Sequence, residues 1–169
     1  MSTGEAWAYA GYLLWLLAGC LDFARHRRTD LPHTSGLAES RLHGVQLALL
    51  GGGVFAWLAL APSLALVATL SILVVAHAFV GYADTRAAYG RRPIDPREQH
   101  LHSVLDMAPW FALCFVVVTD AAQARDAGWT FGWRHAPASL WLALLLPPLP
   151  LCVLPWLVEF RAVLRARRT

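Results

Sequence analysis

A carboxylate and an imidazole recur four residues apart along this chain, as Asp22 and His26, Glu39 and His43, and Glu98 and His102. Residues at that spacing share one face of an α-helix. Asp106 extends the last pair by another turn, and His77 and Asp84, seven apart, fall on one face of a further segment. Imidazole nitrogen and carboxylate oxygen drawn from several helices form the ligand set of a transition-metal site. No thiolate joins them. Cys20, Cys114 and Cys152 each sit inside an apolar run without a CxxC pair, and read as packing residues. A nitrogen and oxygen set of this kind favours iron, manganese or zinc over copper(I) or an iron–sulfur cluster.

The candidate metal ligands are therefore Asp22, His26, Glu39, His43, His77, Asp84, Glu98, His102 and Asp106, with Asp106 and Glu39 also the candidate catalytic bases. They exceed the roughly four ligands of one tetrahedral zinc ion. They suit two divalent ions, or one ion with further carboxylates orienting the imidazoles.

Each residue also has a plainer reading. Asp95-Pro96-Arg97-Glu98 is a helix start, with a cap, a proline at the first position and a glutamate at the third. Glu39 is a first-turn acid favoured by the helix dipole. Asp22 and His26 can form an interfacial ion pair, Asp84 can pair with Arg86 or Arg91, and His77 can be a hydrogen-bonded core residue. His33 reads as a loop residue, and His100 faces away from the Glu98–Asp106 stripe. Asp106 is harder to explain alone, because an unpaired acid at membrane depth costs about 2.5–3.5 kcal/mol. Separate capping and surface roles would not place the same chemistry at every helix end on one side.

The elements that must position these groups are apolar. Of 169 residues 57% are hydrophobic, and the mean hydropathy is +0.47, more apolar than an ordinary soluble domain. The chain reads as a single transmembrane domain over residues 1–169, all-α, with about five spans near 6–24, 43–61, 63–83, 98–119 and 139–160. Each approaches the roughly 20 residues that cross a bilayer as a helix. The first run has no basic segment before it and reads as a structural span rather than a cleaved signal.

All 14 basic residues are arginine, and all but Arg125 and Arg134 fall at one side of the spans. The positive-inside rule then places the N-terminus outside and the C-terminus in the cytoplasm, in an inner-membrane protein. Trp7, Trp57, Trp129, Trp133 and Trp141 form an outer aromatic belt. This placement of charge at span ends excludes nucleic acid as a partner, despite the net charge of +3. Every histidine except His135 falls at the cytoplasmic end.

Short connections make the first four spans antiparallel neighbours, an up-down bundle with a polar site at its cytoplasmic end. Gly44, Ala48 and Gly52 in the second span allow close helix approach. The fifth span carries Pro147, Pro148, Pro150 and Pro155, must be broken midway, and is expected at the periphery, offering only Glu159 as a ligand.

Carboxylate-bridged di-iron sites in four-helix bundles use glutamate and histidine from facing helices, and this inventory resembles that class. Their Glu-x-x-His spacing is absent here, as are clustered histidine boxes, and no named family is identified. The leading expectation is a di-iron oxidoreductase acting on a membrane lipid or another hydrophobic small molecule. Arg91, Arg92 and Arg97 are candidates for an anionic head group. A zinc-dependent hydrolase of a lipid-like substrate is the second, with zinc or manganese as the alternative metals. A haem-b carrier or accessory subunit is the third. A second copy of the chain or a redox partner is a possible companion.

Overall fold

The computed structural model describes residues 3–168. Five helices are long and apolar enough to cross a membrane. The first is α1 (Thr3–His26), followed by α2 (Gly36–Ala59), α3 (Leu64–Ala88) and α4 (Pro96–Ala127). The fifth consists of α5 (Ala138–Leu145), a π-helical turn at Leu149–Val153 and α6 (Leu154–Ala166). Among the described residues there is no strand, only an isolated bridge between Leu60 and Trp133.

Local chemistry sets the boundaries. The Ser63 hydroxyl accepts from the Leu66 amide at 3.1 Å and starts α3 directly after Pro62. The Asp95 carboxylate accepts from the Glu98 amide at 2.9 Å, with Pro96 in the first turn of α4. Asp95 also forms an ion pair with Arg25, which ties that start to the end of α1.

The break in the fifth span follows from its prolines. In a helix the carbonyls of Ala143 and Leu144 would accept from residues 147 and 148, but Pro147 and Pro148 have no N–H to give. The tyrosines of α1 supply the missing donors. The Tyr9 hydroxyl donates to the Ala143 carbonyl at 3.3 Å, and that of Tyr12 to Leu144 at 2.5 Å. Replacing Tyr12 with Phe leaves the Leu144 carbonyl without its donor. The expected cost is about 1–3 kcal/mol, read as a lowered thermal unfolding temperature in detergent, with Tyr9→Phe costing less because its bond is longer.

The fifth span is not peripheral. α1 packs on α4, α4 on α3, α3 on α2 and α2 on α6, while α6 and the π-turn return to α1. The spans close a ring in which the fifth stands between the first and the second. Gly44 is one reason α6 can approach α2. A Cβ there would lie 2.6 Å from the Trp156 ring, whose Nε1 donates to the Ser40 carbonyl at 2.8 Å.

The two ends of this ring differ. At one, Leu66, Leu70 and Val116 form an apolar core with Trp57, Leu60 and Leu113 packed against it. At the other the interior is charged: Asp22, Glu39, Asp84, Arg92, Glu98 and Glu159 are all buried. Large apolar side chains such as Ile72, Phe79 and Val118 face outward, at 68%, 72% and 77% exposure. An apolar exterior around a charged interior reverses the pattern of a water-soluble protein and suits a lipid environment.

Candidate metal centre

Asp22 and His26 come from the last two turns of α1, and Glu39 and His43 from the first turns of α2. Asp84 sits near the end of α3, Glu98 and His102 near the start of α4, and Glu159 in α6. All are buried, Glu39 and Glu98 completely. The i, i+4 pairs read from the sequence do turn inward together.

Glu159 organises the centre. Its two oxygens lie 2.9 Å from His26 Nδ1 and 2.9 Å from His43 Nδ1. An ionised carboxylate only accepts, so each Nδ1 carries a proton and, in a neutral ring, Nε2 carries the lone pair. The rings stack with centroids 4.7 Å apart and planes 6° from parallel. Both Nε2 atoms therefore point the same way, toward the remaining carboxylates.

His26 Nε2 is 3.4 Å from Asp22, 3.5 Å from Glu98 and 3.7 Å from Glu39. His43 Nε2 is 3.3 Å from Asp84 and 4.0 Å from Glu39. His102 Nε2 is 3.2 Å from Asp22. Ligand atoms about 2.1 Å from one ion lie about 3.0–3.4 Å from each other in octahedral or tetrahedral coordination, and most of these separations fall close to that range. The ligand atoms of Asp22, His26, Glu98 and His102 lie within 4.8 Å of one another, and so do those of Glu39, His43 and Asp84. Glu39 stands between the two groups. Six buried atoms here make no hydrogen bond among the described residues, namely Asp22 Oδ1, His26 Nε2, His43 Nε2, Asp84 Oδ1 and both oxygens of Glu98, and of these only Asp84 Oδ1 and Glu98 Oε2 also lack an ion-pair contact. Buried polar atoms are rarely left so, and in this centre they converge.

Arg92, in the α3–α4 connection, has its side chain fully buried. It grips Glu39 through Nη2 at 2.5 Å and Nε at 3.2 Å, and its Nη2 also pairs with Glu98. Burial alone would lower its pKa, but the bonds to these two carboxylates outweigh that and raise it. Arg92 is thus a fixed counter-ion, not a hand for a head group at the surface. Charge leaves room for more cations. Asp22, Glu39, Asp84, Glu98 and Glu159 stand against one guanidinium, and with neutral imidazoles the deficit equals the charge of two divalent ions.

A cavity of about 270 Å³ opens beside this centre, with Asp22, His43, Asp84 and His102 on its wall. The other sequence-derived candidates, His77 and Asp106, also line it, but neither belongs to the two ligand groups. Most of the remaining lining is apolar, including Trp15, Leu16, Phe23, Leu50 and Val54. His33 pairs with Asp30 in an exposed loop and His100 is exposed, so neither joins the centre. Glu159 and Arg92 are the members that sequence reasoning misplaced. Each had one available signal: an acid inside an apolar segment for Glu159, and a second adjacent arginine in a tight connection for Arg92.

No family model matches the chain, and neither a curated protein nor a solved structure does.

Proposed function

We propose that this chain is an integral protein of the cytoplasmic membrane, N-terminus outside and C-terminus in the cytoplasm. It holds two divalent metal ions, iron by this reading, and oxidises a lipid-soluble substrate. The spans, the arginine distribution and the outward-facing apolar side chains support insertion and orientation. The observation that carries the metal reading is the convergence of buried imidazole nitrogens and carboxylate oxygens in two adjoining groups, each with its ligand atoms within 4.8 Å of one another. Asp22, His26, Glu98 and His102 would hold one ion and His43 and Asp84 the other, with Glu39 between them. Iron so held would supply one-electron and oxygen chemistry.

The chain's own residues supply the rest. Glu159 fixes the ring orientation and tautomer of His26 and His43. Arg92 holds Glu39 and Glu98 ionised and in place. With both oxygens gripped, Glu39 is poorly free to move a proton, which leaves Asp106, on the cavity wall, as the better base. The apolar cavity excludes water and admits a hydrophobic molecule from the bilayer. His26 and His43 stack directly with no gap for a macrocycle, which speaks against them as paired haem ligands.

Elemental analysis of the purified protein tests this. About two iron atoms per chain are expected in the wild type, with loss of metal in His43→Ala and His102→Ala and none in His33→Ala. Wild-type protein free of iron and manganese, with no absorption above the protein band, would overturn the iron reading. One zinc per chain, silent to reductant, would instead favour hydrolysis by a zinc-activated water.

A further inference from the structure

The polar side chains that line the cavity outside the metal centre include His77 of α3, Asp106 of α4 and Gln46 of α2. His77 is only 3% exposed. None of the three makes a hydrogen bond or an ion pair among the described residues. Asp106 and Gln46 meet because Gly81 lets them. A Cβ at Gly81 would lie 2.8 Å from Asp106 Oδ1 and 3.4 Å from Gln46 Nε2, and Gly81 is one turn along α3 from His77. Polar groups that meet in an apolar cavity without bonding each other are placed to bond something else.

Their chemistry limits what that is. Imidazole, carboxyl and amide together offer donors and acceptors but no fixed positive charge. No arginine lines the cavity, and the buried Arg92 is taken by Glu39 and Glu98. The proposed ions are matched in charge by the centre's own carboxylates, so an anionic head group would meet Asp106 with no unmatched cation beside it. A neutral hydroxyl or carbonyl oxygen suits the trio. Along α4, Asp106 is four residues, about 6 Å, from the ligand His102. Along α1 the cavity runs from Asp22 to Tyr12, about 15 Å.

We infer that the cavity binds an amphiphile with one neutral oxygen function, an alcohol, phenol or ketone. His77, Asp106 and Gln46 hold that oxygen next to the metal centre, and the apolar tail extends toward Tyr12 and Val54. The polar end of the molecule, rather than its tail, then lies against the metal centre. This rests on the cavity serving the proposed metal site.

Trp15 lies on the cavity wall and reports its contents. The probes are 10-bromodecan-1-ol, 1-bromodecane and 10-bromodecanoate, added to detergent-purified protein whose metal content is measured on the same preparation. The signal is the bromine quenching present in wild type and missing in Trp15→Phe. Saturable quenching by the alcohol is expected, with the alkyl bromide and the carboxylate weaker by about tenfold, the loss of one good hydrogen bond. His77→Leu and Gln46→Leu should keep their metal and each lose the preference for the alcohol. Equal quenching by the three probes, or a preference that survives both substitutions, would overturn the inference. Wild type without metal but with the preference intact would instead overturn the metal reading alone.

Discussion

Arg92→Met is expected to cost the metal-free protein about 3–5 kcal/mol, because it strands Glu39 and Glu98 as buried, unpaired charges. The side chain itself is close in length and apolar, so the loss is electrostatic rather than steric. For a chain of this size that corresponds to a fall in unfolding temperature on the order of 10 °C. Arg92→Lys should recover part of it. An ammonium ion replaces the charge but cannot fork across two oxygens of Glu39 while also meeting Glu98. Added ferrous or manganous ion should narrow the gap between Arg92→Met and wild type, since a bound cation neutralises the same carboxylates. Thermal unfolding in detergent, with and without metal, measures all of this. An Arg92→Met protein that unfolds with wild type in chelator would show that these acids are not ionised together in the interior.

Glu159→Gln should weaken metal binding by about 10–100-fold, the usual effect of removing a carboxylate that orients ligating imidazoles. The amide has one oxygen to accept and one NH₂ that only donates, so it cannot receive Nδ1–H from both rings. At least one of His26 and His43 must then change its tautomer or rotate out of the 4.7 Å stack. Equilibrium titration with manganous ion reads the affinity, and His33→Ala serves as a control because His33 pairs with Asp30 in an exposed loop. Unchanged affinity in Glu159→Gln would mean the imidazoles are held by something other than this carboxylate.

The helical spans were legible because each is a long apolar run bounded by chemistry that stops helices: Pro62 and Ser63, Asp95 and Pro96, and the prolines of the fifth segment. The inward stripes were legible too. Asp22 with His26, Glu39 with His43, and Glu98 with His102 declare a shared face by spacing alone, and each pair is buried together. Periodicity says nothing about the order of spans around a ring. That is why the fifth span was expected outside, although it inserts between the first and second. Glu159 has no histidine or acid one turn away to mark its face, and its role depends on two rings 133 and 116 residues distant. Arg92 is chemically identical to its exposed neighbour Arg91, and only the path of the connection turns one inward. His77 and Asp106 share the right depth with the ligands, but the packing directs them to the cavity wall. Spacing along a helix gives direction relative to neighbours on that helix, and rotation of the whole helix comes from its packing.

The bridge from Glu159 to both imidazoles has a consequence for biogenesis. Every other member of the centre precedes Glu159 in the chain, so four long helices have left the ribosome before this acid emerges. Until then His26 and His43 lack the partner that sets their tautomers, and on the proposed metal reading an ion bound there would be held loosely and could exchange. On that reading tight capture would wait for the last helix to dock, leaving an interval in which a wrong metal could still depart.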